Sequence, residues 1–135
     1  MSIYLDHHLQ PLAQSLPSYI QDSTDFINKL SNLGEIPDSS YLVTMDVSAL
    51  YPSIPQEEGI KACRAALDNR SDKSPPTDAL VSMLKLTLES NNFTFNGENY
   101  LQISGTAIGA KFAPPYAIIF MGWFEEKLLR RKPNR

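Results

Sequence analysis

At 135 residues, with 42% hydrophobic and 20% charged side chains, the chain is long enough to bury one core, too short for a multidomain enzyme, and not composed like a disordered segment. A net charge of −3 excludes a chain-wide polyanion-binding surface, so nucleic-acid contact would fall to a local patch. The lone cysteine, Cys63, excludes an internal disulfide and a thiolate metal cluster and fits a reducing compartment.

The amino end lacks a basic start followed by an apolar run. The longest uncharged apolar stretch, residues 112–124, is too short for a bilayer and holds two prolines. The expectation is an intracellular protein, cytoplasmic or nuclear, neither secreted nor in a membrane. Residues 1–17 read as a polar segment, with His7 and His8 solvated because adjacent side chains point in different directions on any regular element. From Ser18 to Leu33 the apolar residues Tyr19, Phe26, Ile27, Leu30 and Leu33 recur at near-helical spacing, and Gly34 followed by Pro37 supplies a stop. Tyr41 to Val47 then alternates, Tyr41, Val43 and Met45 against Leu42, Thr44 and Asp46, which predicts a strand ending in a carboxylate.

Residues 48–55 carry two prolines and read as irregular or short 3₁₀ structure. Pro55, Glu57 and Glu58 open a helix with Ile60, Cys63 and Leu67 as its stripe. A polar loop over 69–76 leads to a second amphipathic helix, Thr77 to Ser90, with Leu80, Met83, Leu84 and Leu88 inward. The two helices are expected to cover one sheet face. Asn96-Gly97 between Phe93–Phe95 and Tyr100–Ile103 predicts a tight hairpin. A loop with two glycines and two prolines, residues 104–115, precedes a helix with Pro114 and Pro115 in its first turn. Ala117, Met121, Phe124 and Leu128 share one face of that helix, yet Ile118, Ile119, Phe120 and Trp123 make its start apolar all round, which demands cover on every side. From Lys127 the sequence KLLRRKPNR has five basic residues and no acidic one. It is either a solvated helix end complementing the dipole or a phosphate-contacting segment.

Two segments go beyond a generic domain: YLVTMDVSALYPSIP, residues 41–55, and QISGTAIGAKFAPPYAIIFMG, residues 102–122. In this order, with two helices and a hairpin between them, they resemble motifs A and B of reverse transcriptases, most closely the Penelope-like retroelement lineage. The resemblance runs from Tyr19 to about Arg131. It implies an α+β fold, a partial polymerase palm and fingers, helix-rich with a motif A strand and one β-hairpin, in a single domain: a polar segment 1–17, a reverse-transcriptase-like region 18–131 and a basic tail 132–135. It also implies that Asp46 is the ancestral catalytic aspartate, binding Mg²⁺ or Mn²⁺ with the Val47 carbonyl as a second ligand. Tyr51 would be the bulky residue beneath the nucleotide sugar, and Gly105, Gly109, Ala110 and Pro114 would shape the nucleotide-facing loop and helix. Lys111, Lys127, Arg130, Arg131 and Lys132 would meet DNA or RNA phosphates. Elementary chemistry agrees, because phosphoryl transfer needs divalent ions on hard oxygen ligands, and glycines let backbone approach a phosphate closely.

Departures from the family pattern set the functional expectation. The tyrosine and paired aspartates of motif C occur nowhere in the sequence, and Ile108 and Ala113 stand where many polymerases have glutamine and serine. One matched carboxylate cannot build a two-ion clamp, so templated synthesis by these residues alone is not expected. Three functions remain open: a truncated reverse-transcriptase-like domain that binds nucleic acid or nucleotide with a divalent metal, a metal-dependent nuclease using Asp46 with partner acids such as Glu57 and Glu58, and a catalytically dead oligomeric interaction module. A motif A strand without its motif C neighbour would expose an edge, so self-association is expected.

Overall fold

The computed structural model describes residues 1–130. Its elements are α1 (Ser2–Gln14), α2 (Ser23–Ser31), α3 (Leu50–Ser53), α4 (Gln56–Asp68), α5 (Thr77–Glu89), β1 (Asn92–Phe95), β2 (Glu98–Leu101) and α6 (Ala113–Arg130). The class is α+β, helix-rich with one two-stranded antiparallel sheet. Among the described residues no helix is long and apolar enough to cross a membrane. Arg131, Lys132 and the rest of the expected basic tail lie outside the described residues.

The core lies between α1, α4, α5 and α6. The expected stripes supply much of it: Cys63 and Leu67 from α4, and Leu80, Leu84 and Leu88 from α5, are buried, with Val81 and Ala62 beside them. Phe112 and Tyr116 meet edge to face at 6.0 Å in its centre. Tyr116 fits there because residue 59 is glycine; a Cβ on Gly59 would stand 1.9 Å from the Tyr116 hydroxyl oxygen. Contrary to expectation, α4 and α5 do not cover a sheet face. Both strands of the hairpin are exposed along their length, so α4 packs on α5, α6 and α1 instead.

Two further readings need correction. The polar reading of residues 1–17 misses α1, whose Leu5, Leu9 and Ala13 lie one turn apart and are buried against the core. The strand expected over Tyr41–Val47, and with it the motif A strand, does not form. These residues are irregular, with Tyr41 92% and Met45 94% exposed. A strand exists only through a ladder partner, and β1 and β2, the strands among the described residues, pair with each other. Unpaired, the backbone polar groups of residues 41–47 remain with water.

Local signals held elsewhere. Asn96 and Gly97 take φ of 51° and 82° at the hairpin turn, and the register sets Phe93 opposite Tyr100 with rings stacked at 5.5 Å. The helix predicted from Ser18 begins only at Ser23, where Asp22 accepts the Asp25 N–H at 2.8 Å and Asp25 accepts the Gln21 N–H at 3.0 Å. It ends before Gly34, as predicted, but buries no residue. Pro114 and Pro115 occupy the first turn of α6, where no N–H is needed. The apolar start of that helix is mostly covered, whereas Phe124, Leu128 and Leu129 face solvent.

The total accessible surface is 10083 Å². A compact monomer of 15.1 kDa exposes about 7,100 Å² by the surface–mass relation. Exposed large apolar side chains are frequent in α2, residues 41–47 and the hairpin.

Candidate functional site

The irregular stretch after Asp46 and the loop before α6 are joined by three contacts. Ala49 takes a left-handed conformation, φ 49° and ψ 51°, that turns the chain into the four-residue α3. The Tyr51 carbonyl then accepts the Thr106 N–H at 2.9 Å. Gly105, φ 69°, presses against Pro52, so that a Cβ there would lie 2.5 Å from the Pro52 Cα. Gln56, at the start of α4, donates its side-chain amide to the Gly105 carbonyl at 3.0 Å. The two resembling segments are thereby held as one surface.

On that surface Tyr51 lines an open groove of about 260 Å³ with Ile108, Gly109, Ala110, Lys111 and Pro114. Five of the expected site residues therefore meet: Tyr51, Gly109, Ala110, Lys111 and Pro114. Gly105 is buried, packed against Pro52. The groove wall carries one charge, the exposed Lys111, and no carboxylate. Past Tyr51 and Pro114 a second groove of about 260 Å³ continues along Ser18, Tyr19 and Met121 to Glu125. An aromatic face, a flexible glycine backbone and a cation within one cleft can stack a base and meet a phosphate.

The expected metal ligands stand apart from this groove. Asp46 is exposed and lines none of the grooves described, while Val47 borders a separate apolar groove of about 470 Å³ with Ile54, Phe120 and Trp123. Among the described residues no group of three or more His, Cys, Asp or Glu is arranged to hold a metal ion. With one carboxylate and one carbonyl offered, the other positions around an octahedral Mg²⁺ would fall to water or to a ligand's phosphates. Glu57 is exposed. Glu58 pairs with Lys61 at 2.9 Å and with Lys127 at 3.8 Å, and its carboxyl is held below the usual range chiefly by the Lys61 hydrogen bond.

Of the expected phosphate-contacting cations, Lys127 also lies 3.4 Å over the Trp123 ring, and Arg130 pairs with Glu126 one turn away. His7 is exposed and His8 half-buried on α1; burial, then His7, holds the His8 imidazole below its usual pKa. Sequence reasoning missed Gln56 and Thr106. Their partners lie 49 and 55 positions away along the chain, and no local spacing announces such contacts. Comparison with protein-family models, with curated proteins and with solved structures gives no match.

Proposed function

We propose that the chain is a reverse-transcriptase-like domain that binds nucleotide or single-stranded nucleic acid in the Tyr51 groove without carrying out templated synthesis through its own residues. What carries this reading is the joining of Tyr51 to the 105–114 loop, two segments that resemble motifs A and B and meet in one cleft. A base stacks on the Tyr51 ring, at about 1–3 kcal/mol per base, while Lys111 neutralises a phosphate. The absence of carboxylates from the groove wall favours an anionic ligand. Binding in this groove calls for no divalent ion: Asp46 lies in an exposed, irregular segment outside it.

The test incubates the full chain with single-stranded and duplex DNA and RNA, with magnesium, manganese or chelator, beside Asp46→Ala. Salt-sensitive binding that persists in chelator, without cutting, is expected. Metal-dependent cutting that disappears in Asp46→Ala would instead establish the nuclease. No binding and no cutting would remove both.

A further inference from the structure

The surface left open by this chain is large enough, and of the right kind, to be an interface. The accessible area exceeds that of a compact monomer by about 3,000 Å². Even with the whole extended-chain surface of the last five residues set aside, about 900 Å², about 2,000 Å² remain. A stable pair needs only about 800 Å² from each partner.

The open surface includes two unpaired β-elements. Residues 41–47 alternate in the manner of a strand and have no ladder partner among the described residues, with both faces exposed. Among the described residues the hairpin β1–β2 has two free edges. Neither element contains lysine or proline, and each carries a single charge, Asp46 in 41–47 and Glu98 in the hairpin. Each chain therefore holds one strand to give and one edge to receive it, and it does not join them to each other.

We infer that a second copy of this chain covers this surface, with Tyr41–Val47 of one copy adding as a third strand to the hairpin of the other. A two-fold exchange pairs the 41–47 segment and one hairpin edge of each copy at once, so the assembly closes at two. Strand addition satisfies backbone groups that each chain leaves to water, and the alternating side chains bury one face against the partner's Phe93 and Tyr100. The inference is independent of the nucleotide groove, which uses none of these residues.

Light scattering of the full chain across concentration, with amide hydrogen exchange at low and high concentration, tests it. The expected mass is twice 15.1 kDa, with the Leu42 and Thr44 amides gaining protection as concentration rises. Thr44→Pro removes one of these ladder N–H groups outside the folded core, so it should weaken association by about tenfold or more while leaving helical circular dichroism unchanged. A monomer at high concentration would overturn the inference. So would a dimer that survives Thr44→Pro, or protection of residues 41–47 that does not depend on concentration.

Discussion

Replacing Gly105 with alanine probes the contact that joins the two halves of the groove. An added Cβ would lie 2.5 Å from the Pro52 Cα, 2.6 Å from its carbonyl oxygen and 2.7 Å from its carbonyl carbon. All three are backbone atoms, which cannot swing aside as a side-chain end would. The positive φ of 69° adds a conformational cost of about 1–2 kcal/mol for an L-residue. Overpacking contributes a further cost of about 1–3 kcal/mol. The loss should therefore reach about 2–5 kcal/mol, a large part of the stability of a small domain. Gly109→Ala is the matched control: its φ is also positive, at 95°, but nothing lies within 4 Å, so only the backbone cost applies. Urea unfolding followed by circular dichroism, with unchanged m-values, reads both. Equal losses in the two variants, or a Gly105→Ala protein as stable as the parent, would refute the close approach of residue 105 to Pro52.

Three further outcomes follow from buried or paired groups. The Tyr116 hydroxyl is buried without a hydrogen-bond partner among the described residues, so Tyr116→Phe should be neutral or stabilising by up to about 1 kcal/mol; a loss beyond that in the same unfolding assay would mean that the hydroxyl is satisfied. Burial pushes the Cys63 thiol far above its ordinary pKa, so thiol labelling at pH 8 should be slow in the native protein and fast in denaturant, and rapid native labelling would contradict its burial. The Asp25 carboxyl is held below the usual range first by the Gln21 N–H and then by Lys29. Its support of α2 should be complete above the ordinary carboxylate pKa and lost as pH falls through the lowered folded value. An NMR titration of Asp25 with a midpoint at or above the ordinary carboxylate pKa would contradict that capping.

What could be read from the sequence divides along the line between local and distant causes. The stripes of α4 and α5, the Asn96-Gly97 turn and the prolines opening α6 act within a few residues, and each forms close to where the sequence indicates it. The α1 helix was hidden because Leu5, Leu9 and Ala13 carry a weak signal among Asp6, His7, His8 and an internal Pro11. The alternation of residues 41–47 states which faces a strand would have, but a strand also needs a neighbour, and that neighbour is not local. The same reasoning applies to the site. Tyr51, Gly109, Ala110, Lys111 and Pro114 came from the resemblance and meet in one groove. Asp46 came from it too, and lies in an exposed, irregular segment outside that groove. Gln56, which ties the loop to α4, has no sequence signal.

Occupancy of the Tyr51 groove is tested most directly by titrating the isotope-labelled full chain with a short single-stranded RNA and with a nucleoside triphosphate, following the backbone amides by NMR. Shifts concentrated at Tyr51 and residues 108–112 are expected, weakened in Tyr51→Leu and, with a salt slope smaller by about one, in Lys111→Gln. Saturating ligand that leaves those amides unmoved, or that shifts only amides outside the groove, would contradict the assignment of the site.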